Sequence, residues 1–221
     1  MALVYRALDQ TLQRKVAVKI LRKTEDLDHN RMVEATVAEA RALAAINHPN
    51  VVHVHSIGMR TGQPYIVMEL LLGSDKLNVM LREGWIADEF RGLEIAIDVA
   101  AGLQASHDAG LLHRDVKPGN ILFNEEGTAK LLDFSVILDA DQATSEDGKR
   151  IAIGTPYYIA PEAALGKDVD FRADIYSLGA TLFHLLTGRP PFDASTPKEV
   201  IKARLKEKAP DVRSLRSELS P

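Results

Sequence analysis

The sequence predicts an α+β fold in two parts, a small and mostly antiparallel sheet with one helix, followed by a mostly helical region. Alternating apolar residues between polar turns dominate residues 1–72, whereas apolar residues at helical spacing dominate residues 73–221. The stretch "LLLGSD" separates the two patterns and has the composition of a boundary. We therefore expect two lobes that meet near residue 72.

The composition is typical of a globular protein, with 46% hydrophobic and 26% charged residues. The sequence contains no cysteine, which excludes disulfides and thiolate metal sites. A net charge of −4 does not demand a nucleic-acid partner, and no apolar stretch approaches the roughly 18 residues that a membrane span needs. We expect a cytoplasmic protein without a nucleic-acid partner or a membrane segment.

The first part is predicted to contain two hairpins around one helix. The stretches "ALVYRAL" and "KVAVKI" flank a polar turn, and "VVHVHSIG" and "PYIVMELLL" flank "MRTGQ", so each pair indicates two antiparallel strands. Between the hairpins, Val33 to Ala44 place apolar side chains at helical spacing. Asn30 is expected to cap this helix, and Pro49 to end it.

The second part is predicted to be mainly helical. Apolar residues from Leu93 to Leu103 indicate an amphipathic helix that ends near Gly110. The stretch "DIYSLGATLFHLLTG" is apolar on nearly every side, which predicts a helix buried all round, whereas "PKEVIKARLKEK" predicts a charged helix that faces solvent. Residues 139–159 show no period and indicate a long loop.

Polar residues that suit phosphate chemistry concentrate in "HRDVKPGN", residues 113–120. Asp115, Lys117 and Asn120 lie within six positions, and Asp133 follows in "LLDFS". Carboxylate and amide oxygens are ligands that Mg²⁺ accepts while it keeps bound phosphates. Lys19, at the end of "VAVK", could contact a phosphate, although a solvated strand end is the simpler interpretation of this lysine alone.

Five motifs in order make the chain resemble the protein kinase family over nearly its whole length. "VAVK" resembles the lysine strand, "HRDVKPGN" the catalytic loop, "DFS" the metal-binding segment, "GTPYYIAPE" the substrate loop, and "DIYSLGATLFHLLTGRPPF" the helix that follows. Lys117, two residues after Asp115, resembles serine/threonine kinases, and "NHPNVV" resembles their bacterial members. The resemblance implies a two-lobed kinase fold, ATP and Mg²⁺ as cofactors, and a protein substrate with Ser or Thr hydroxyls.

The resemblance also implies a role for each polar residue. Asp115 would orient the substrate hydroxyl and Lys117 would steady the transferring phosphoryl group. Asn120 and Asp133 would hold Mg²⁺. Lys19 would hold the ATP phosphates and needs an acid on the following helix, for which two residues compete. Glu39 has the family spacing to "NHP" and is chosen over Glu34, which is more simply a surface charge.

Apolar positions follow from the same resemblance. The residues expected around adenine, including the Met68 gatekeeper and the hinge from Glu69 to Leu71, are Val4, Ala17, Met68, Glu69, Leu71 and Leu122. Four side chains are expected to stack into a column that links the lobes, namely Leu43, Val54, His113 and Phe134. The carboxylate of Asp174 is expected to anchor this column. Without the motifs, plain core would be the preferred interpretation of all these apolar side chains.

Three departures from the family pattern accompany the resemblance. No glycine-rich phosphate loop precedes Tyr5, Ser135 replaces the glycine of the "DFG" motif, and the family's last helices are not found after "SLRSELSP". We therefore expect a kinase fold that is incomplete at both termini and switches its "DFS" segment less freely. Thr144 and Ser145 are possible autophosphorylation sites.

Two functions follow from these observations. The first is a serine/threonine protein kinase that transfers the γ-phosphate of ATP to protein hydroxyls, with the polar residues above as its machinery. The alternative is a truncated or inactive kinase-like fragment that acts as a binding or scaffold module. The complete set of polar motif residues favours the kinase, and the departures favour the alternative.

Overall fold

The structure is a computed structural model that describes residues 2–21, 29–71, 77–134 and 156–220. Within these ranges, the description of a few residues is limited to the backbone, namely Ala2, Leu21, His29, Asn30, Arg31, Met32, Ala35, Thr36 and Glu39.

The N-terminal part is a four-stranded antiparallel sheet. Its strands are β1 (Ala2–Asp9), β2 (Arg14–Leu21), β3 (Val54–Arg60) and β4 (Gln63–Glu69). The strands lie in the order β1-β2-β4-β3, so each predicted hairpin is confirmed and the two hairpins join through β2 and β4. The second hairpin closes through Thr61 and Gly62, both at positive φ, and its turn is therefore tighter than "MRTGQ" suggested.

Helix α1 (His29–Ala44) packs on β3 and β4 through its apolar face, on which Ala40 and Leu43 are buried. The predicted N-cap at Asn30 is wrong, because the helical backbone begins one residue earlier and Asn30 lies inside it. A capping preference is worth only about 1 kcal/mol, so tertiary packing of the helix on the sheet decides where the first turn forms.

The C-terminal part contains five helices within the described ranges and a small hairpin. The helices are α2 (Leu77–Arg82), α3 (Glu89–Asp108), α4 (Pro161–Ala164), α5 (Phe171–Thr187) and α6 (Pro197–Lys206). The hairpin consists of β5 (Ile121–Phe123) and β6 (Ala129–Leu131) and follows a 3₁₀ turn at Pro118–Asn120. A second 3₁₀ turn lies at Val212–Ser214. The amphipathic helix that the sequence predicts is α3, and Gly110 follows it at φ 76°.

Two predictions about helix surroundings are wrong. Helix α5 is not buried all round, since Phe171 and Ile175 are half exposed while Ala173 and Thr181 are buried. Its packing against α3 covers one side, and apolar residues on the other side are common at protein surfaces. Helix α6 is not wholly solvated either, because its Arg204 is buried near aromatic rings of Tyr176 and Phe192.

One buried cluster runs through both parts of the chain. From the sheet side it includes Leu43 and Val54, and from the helical side Leu103 and Phe134. Backbone hydrogen bonds reinforce this junction, since Val52 N donates to Leu131 O at 2.9 Å and Leu131 N donates to Asn50 O at 2.8 Å. Strand β6 therefore pairs both with the N-terminal segment at Val51 and with β5.

Across the described ranges, we find no helix that combines the length and the apolar character needed to cross a bilayer.

Candidate active site

A buried carboxylate on α5 holds the start of the segment that runs from His113 to Asn120. Asp174 is 1% exposed, and its two oxygens accept the backbone N–H groups of His113 at 2.8 Å and Arg114 at 2.7 Å. The Nε2 atom of His107, on α3, lies 2.8 Å from Asp174 Oδ2. Arg114 has φ 62°, a conformation that L-residues adopt only when their surroundings hold it. The predicted role of Asp174 as an anchor is confirmed.

The His113 imidazole connects this segment to the chain before Asp133. Its Nε2 donates to Leu132 O at 2.9 Å, and its Nδ1 accepts the Asp115 N–H at 3.3 Å. Burial lowers the pKa of His113 below its ordinary value, which keeps the ring neutral with a proton on Nε2. The ring centroid also lies 4.5 Å from that of Phe134 with the planes tilted by 47°, so the predicted contact of these two side chains is confirmed.

Three predicted site residues meet around one carboxylate oxygen. Asp115 Oδ2 accepts Lys117 Nζ at 2.6 Å and Asn120 Nδ2 at 2.9 Å. The Asn120 amide also donates to Asp115 O at 2.8 Å, which ties the two ends of the 3₁₀ turn region together. Among the described residues, both side-chain contacts of Asp115 use Oδ2, so Oδ1 is the atom that the predicted contact with a substrate hydroxyl would use.

Lys19 and Asp133 meet although 114 positions separate them. Lys19 Nζ lies 2.7 Å from Asp133 Oδ1, and the lysine is mostly buried while the aspartate is half exposed. Lys19 is placed by β2, whereas Asp133 follows β6 and has φ 50°. The structure thus brings the predicted phosphate lysine against the predicted metal ligand. The side chain of Glu39 lies outside the description, so its pairing with Lys19 stays a prediction, and Glu34 is exposed.

The two residues predicted to hold Mg²⁺, Asn120 and Asp133, lie near each other along the backbone pairing. Leu132 N donates to Asn120 O at 2.9 Å, which places Asp133 next to Asn120. Since the Asn120 Nδ2 is engaged by Asp115, its Oδ1 is the atom that could face a cation, together with the Asp133 carboxylate, of which Lys19 contacts one oxygen. The described ranges contain no cluster of three or more His, Cys, Asp or Glu residues suited to a metal. Magnesium needs fewer protein ligands when it is shared with phosphates, so the donor set fits it.

The residues predicted around adenine are only partly enclosed. Ala17 and Met68 face each other across β2 and β4, and both are buried. Leu122 on β5 and Leu71 after β4 are half-buried. Val4 on β1 is 60% exposed, so the side of the site that it would cover is open in this structure.

The side chain of Glu69 makes contacts that the sequence did not indicate. Its Oε1 accepts Lys130 Nζ at 2.7 Å and the backbone N–H of His53 at 2.7 Å. Sequence reasoning missed Lys130 because its partner is 61 positions away. It also missed His107, 67 positions from Asp174. The available signal was the place of Lys130 in the strand that leads to Asp133.

The end of the predicted substrate loop is attached to α5. Tyr158 OH lies 2.7 Å from His184 Nδ1, and the two rings are stacked. Burial raises the pKa of Tyr158 and lowers the pKa of His184, so the phenol donates to a neutral imidazole. The predicted phosphosites Thr144 and Ser145, and the substituted Ser135, lie outside the described residues.

Comparison with known proteins decides the family. The protein kinase domain matches residues 1–219. The chain belongs to the protein kinase family. The family uses ATP, which accords with the nucleotide site predicted between the sheet and the catalytic segment.

This kinase-family chain is similar to bacterial proteins named as serine/threonine kinases. A probable serine/threonine-protein kinase of Clostridium perfringens (strain 13 / Type A) is 38% identical over 95% of this chain and 30% of its own length. The serine/threonine-protein kinase PksC of Streptomyces coelicolor is 39% identical over 94% of this chain and 38% of its own length. The serine/threonine-protein kinase PknB of Mycolicibacterium smegmatis is 38% identical over 94% of this chain and 34% of its own length. The chain spans about a third of the length of these relatives.

Proposed function

We propose that this chain is a serine/threonine protein kinase domain that transfers the γ-phosphate of ATP to protein hydroxyls. The observation that carries the proposal is the convergence of two ion pairs, Lys19 with Asp133 and Lys117 with Asp115. Asn120 joins them, since its side chain binds Asp115 and its carbonyl binds the residue before Asp133. A plain structural core would not gather two lysines and two carboxylates around one cleft.

The mechanism that we propose relies on positioning and charge. Asp115 Oδ1 accepts the hydrogen bond of a substrate hydroxyl and directs its oxygen toward the γ-phosphate. Lys117, within reach of Asp115, places positive charge where the transferring phosphoryl group passes. Lys19 exchanges Asp133 for the ATP phosphates when nucleotide enters. Asn120 and Asp133 would hold Mg²⁺, which when bound supplies positive charge to the phosphate oxygens.

The choice of a protein Ser or Thr as acceptor rests on two observations. Lys117 stands at the position that is typical of serine/threonine kinases, and the similar bacterial proteins carry that description in their names. The attachment of Tyr158 to His184 supports an ordered end to the substrate loop. The predicted autophosphorylation at Thr144 or Ser145 and the predicted cytoplasmic location are parts of the same proposal.

The decisive experiment compares Asp115→Asn with the unchanged chain. With Mg-ATP and a general protein substrate, we expect the phosphotransfer rate to fall about 100-fold or more. The dissociation constant for Mg-ATP, measured by calorimetry, should change less than about twofold, because Asp115 does not contact the phosphates in the proposed mechanism.

The matched control is Asp168→Asn, which makes the same chemical change at an exposed position. It should leave both the rate and the affinity unchanged. Nucleotide binding without any transfer by the unchanged chain would contradict the kinase proposal and favour a binding or scaffold module.

A further inference from the structure

The carboxylate of Glu69 lies where three segments of the chain meet. Glu69 ends β4 at the start of the predicted hinge, and Oε1 accepts both Lys130 Nζ and the His53 N–H at 2.7 Å. The Glu69 N–H donates in turn to His53 O at 2.9 Å. The hinge is therefore bonded through its backbone to the segment before β3, and through its side chain to β6.

This ion pair is shielded from water. The Lys130 side chain is 12% exposed and that of Glu69 is 24% exposed. Exposed ion pairs contribute little because water and salt screen them, but a partly buried pair such as this one is screened much less. A charge-assisted hydrogen bond that also holds a backbone N–H has a defined geometry. We therefore treat the three groups as one unit, the hinge clamp, formed by Glu69, Lys130 and His53.

The hinge clamp joins the two strands that place the nucleotide site. On one side, β4 pairs Met68 with Ala17 and Ile66 with Lys19. On the other side, β6 leads within three residues from Lys130 to Asp133. The position of Asp133 relative to Lys19 and to the hinge backbone thus depends on how β6 is held against the end of β4.

We propose that Lys130 is a positioning residue, which acts through Glu69 to set the hinge against the segment of Asp133 and thereby sets the affinity for adenine nucleotide. The inference rests on the proposed function, because it assigns the nucleotide to this cleft. Lys130 itself touches neither the phosphates nor the adenine in this arrangement. If the ion pair only adds stability, its removal should lower the unfolding midpoint without changing the affinity of the folded protein.

The first test measures the dissociation constant for ADP by calorimetry in Lys130→Met, which keeps an unbranched side chain, one heavy atom shorter, and removes its charge. We expect a rise of about 3- to 10-fold, which lies within the range that such indirect couplings produce. Lys15→Met makes the same change at an exposed position of β2 and should leave the affinity unchanged. At saturating ATP the phosphotransfer rate should change less than about twofold, so that the effect lies in KM.

A double substitution separates the clamp from a general effect of charge. Glu69→Gln keeps an acceptor for the His53 N–H and removes the ion pair. If Lys130 acts through Glu69, then Lys130→Met in the Glu69→Gln background should add less than about twofold to the dissociation constant. Additive effects of the two substitutions would overturn the proposal.

Hydrogen exchange tests the clamp without nucleotide. Lys130→Met should speed exchange at the Val52 and Leu131 amides, which join the N-terminal segment to β6, whereas Lys15→Met should not. Unchanged exchange at both amides would overturn the clamp whatever the affinities are. If the unchanged chain fails to bind nucleotide while exchange responds as expected, the proposed function fails and the mechanical role of the clamp stands.

Discussion

Two non-glycine residues of the candidate site have backbone conformations that L-residues rarely adopt. Arg114 has φ 62° and Asp133 has φ 50°. Such conformations cost of order 1–3 kcal/mol and persist where other contacts impose them. Asp174 holds the N–H of Arg114, and Lys19 holds the carboxylate of Asp133. The strain is therefore located at the two positions where the proposed chemistry requires a fixed side chain.

The carboxylate of Asp174 should be one of the most sensitive single groups in the chain. Asp174→Asn leaves one oxygen for two backbone donors and turns an NH₂ toward one of them, so we expect about 2–4 kcal/mol of lost stability in urea unfolding. Asp170→Asn, at the exposed N-cap of the same helix, is the control and should cost much less, since Asn also caps helices. Equal losses in the two variants would contradict the anchoring role.

Lys19 should discriminate between ligands with and without phosphates. Lys19→Met removes the ammonium that we assign to the ATP phosphates, and a charge-assisted contact of this kind is worth about tenfold or more in affinity. The dissociation constant for ATP should rise by that factor, while that for adenosine should change less than about twofold. An equal loss for both ligands would show that Lys19 only supports the cleft.

At the scale of elements, α3 approaches its neighbours through glycines. A Cβ at Gly102 would lie 2.7 Å from the backbone oxygen of Asn50, whereas a Cβ at Gly92 would lie 2.7 Å from the end of the Leu186 side chain. Backbone that pairs with β6 cannot move aside, but a leucine methyl can rotate. The same added atom therefore has different consequences at the two positions.

This difference gives a matched pair of variants in one helix. Gly102→Ala should destabilise the fold by about 1–3 kcal/mol through overpacking against the Asn50 backbone. Gly92→Ala gains the same helix propensity, about 1 kcal/mol, and should be nearly neutral because Leu186 can adjust. Urea unfolding of both variants checks the ranking, and a larger loss at Gly92 would refute it.

The elements that the sequence predicts are those whose signal is local. The hairpins that end at Leu21 and Glu69 alternate apolar and polar residues, and α3 has a long period and a terminal glycine. Helices α2 and α4 were missed because four to six residues are too few for a period. The pairing of Val51 with Leu131 has no sequence signal, since it depends on how both parts of the chain fold together.

The sequence predicted which residues form the candidate site, but only some of the contacts between them. The motifs placed Asp115, Lys117 and Asn120 together because these residues share one turn. The direct contact of Lys19 with Asp133 was not anticipated, because an acid on the helix was the expected partner. The contact of Glu69 with Lys130 was missed for the same reason, since side-chain partners on different strands leave no spacing rule.

At the scale of the whole molecule, three histidines with lowered pKa values should make stability depend on pH. Burial lowers the pKa of His113, and also those of His55 and His184, below the ordinary value of 6.5. Below about pH 6.5 the unfolded chain therefore binds protons at these histidines that the folded chain does not bind. The free energy of unfolding should decrease as the pH falls below this value. Urea midpoints at pH 7.5, 6.5 and 5.5 measure this decrease.

Substitution of His113 measures how much this residue contributes to the pH dependence of stability. His113→Phe keeps a ring against Phe134 but loses the hydrogen bond to Leu132 O, so it should be less stable at pH 7.5. Its further loss between pH 7.5 and 5.5 should be smaller than in the unchanged chain. Exposed carboxylates with lowered pKa values, such as Asp170, act below this range and should not interfere. Parallel curves for the two proteins would exclude His113 as a contributor.

The use of β6 by both parts of the chain has a consequence for synthesis. Asn50 and Ala129, which bond across this junction, are 79 positions apart. At about 5–20 residues per second, the ribosome delivers the second partner roughly 4–16 s after the first. During that interval the apolar side chains around Val51 and Val52, which the finished protein buries, have no strand to cover them. The nascent chain should therefore be most prone to aggregation, and most dependent on chaperones, just before residue 129 emerges.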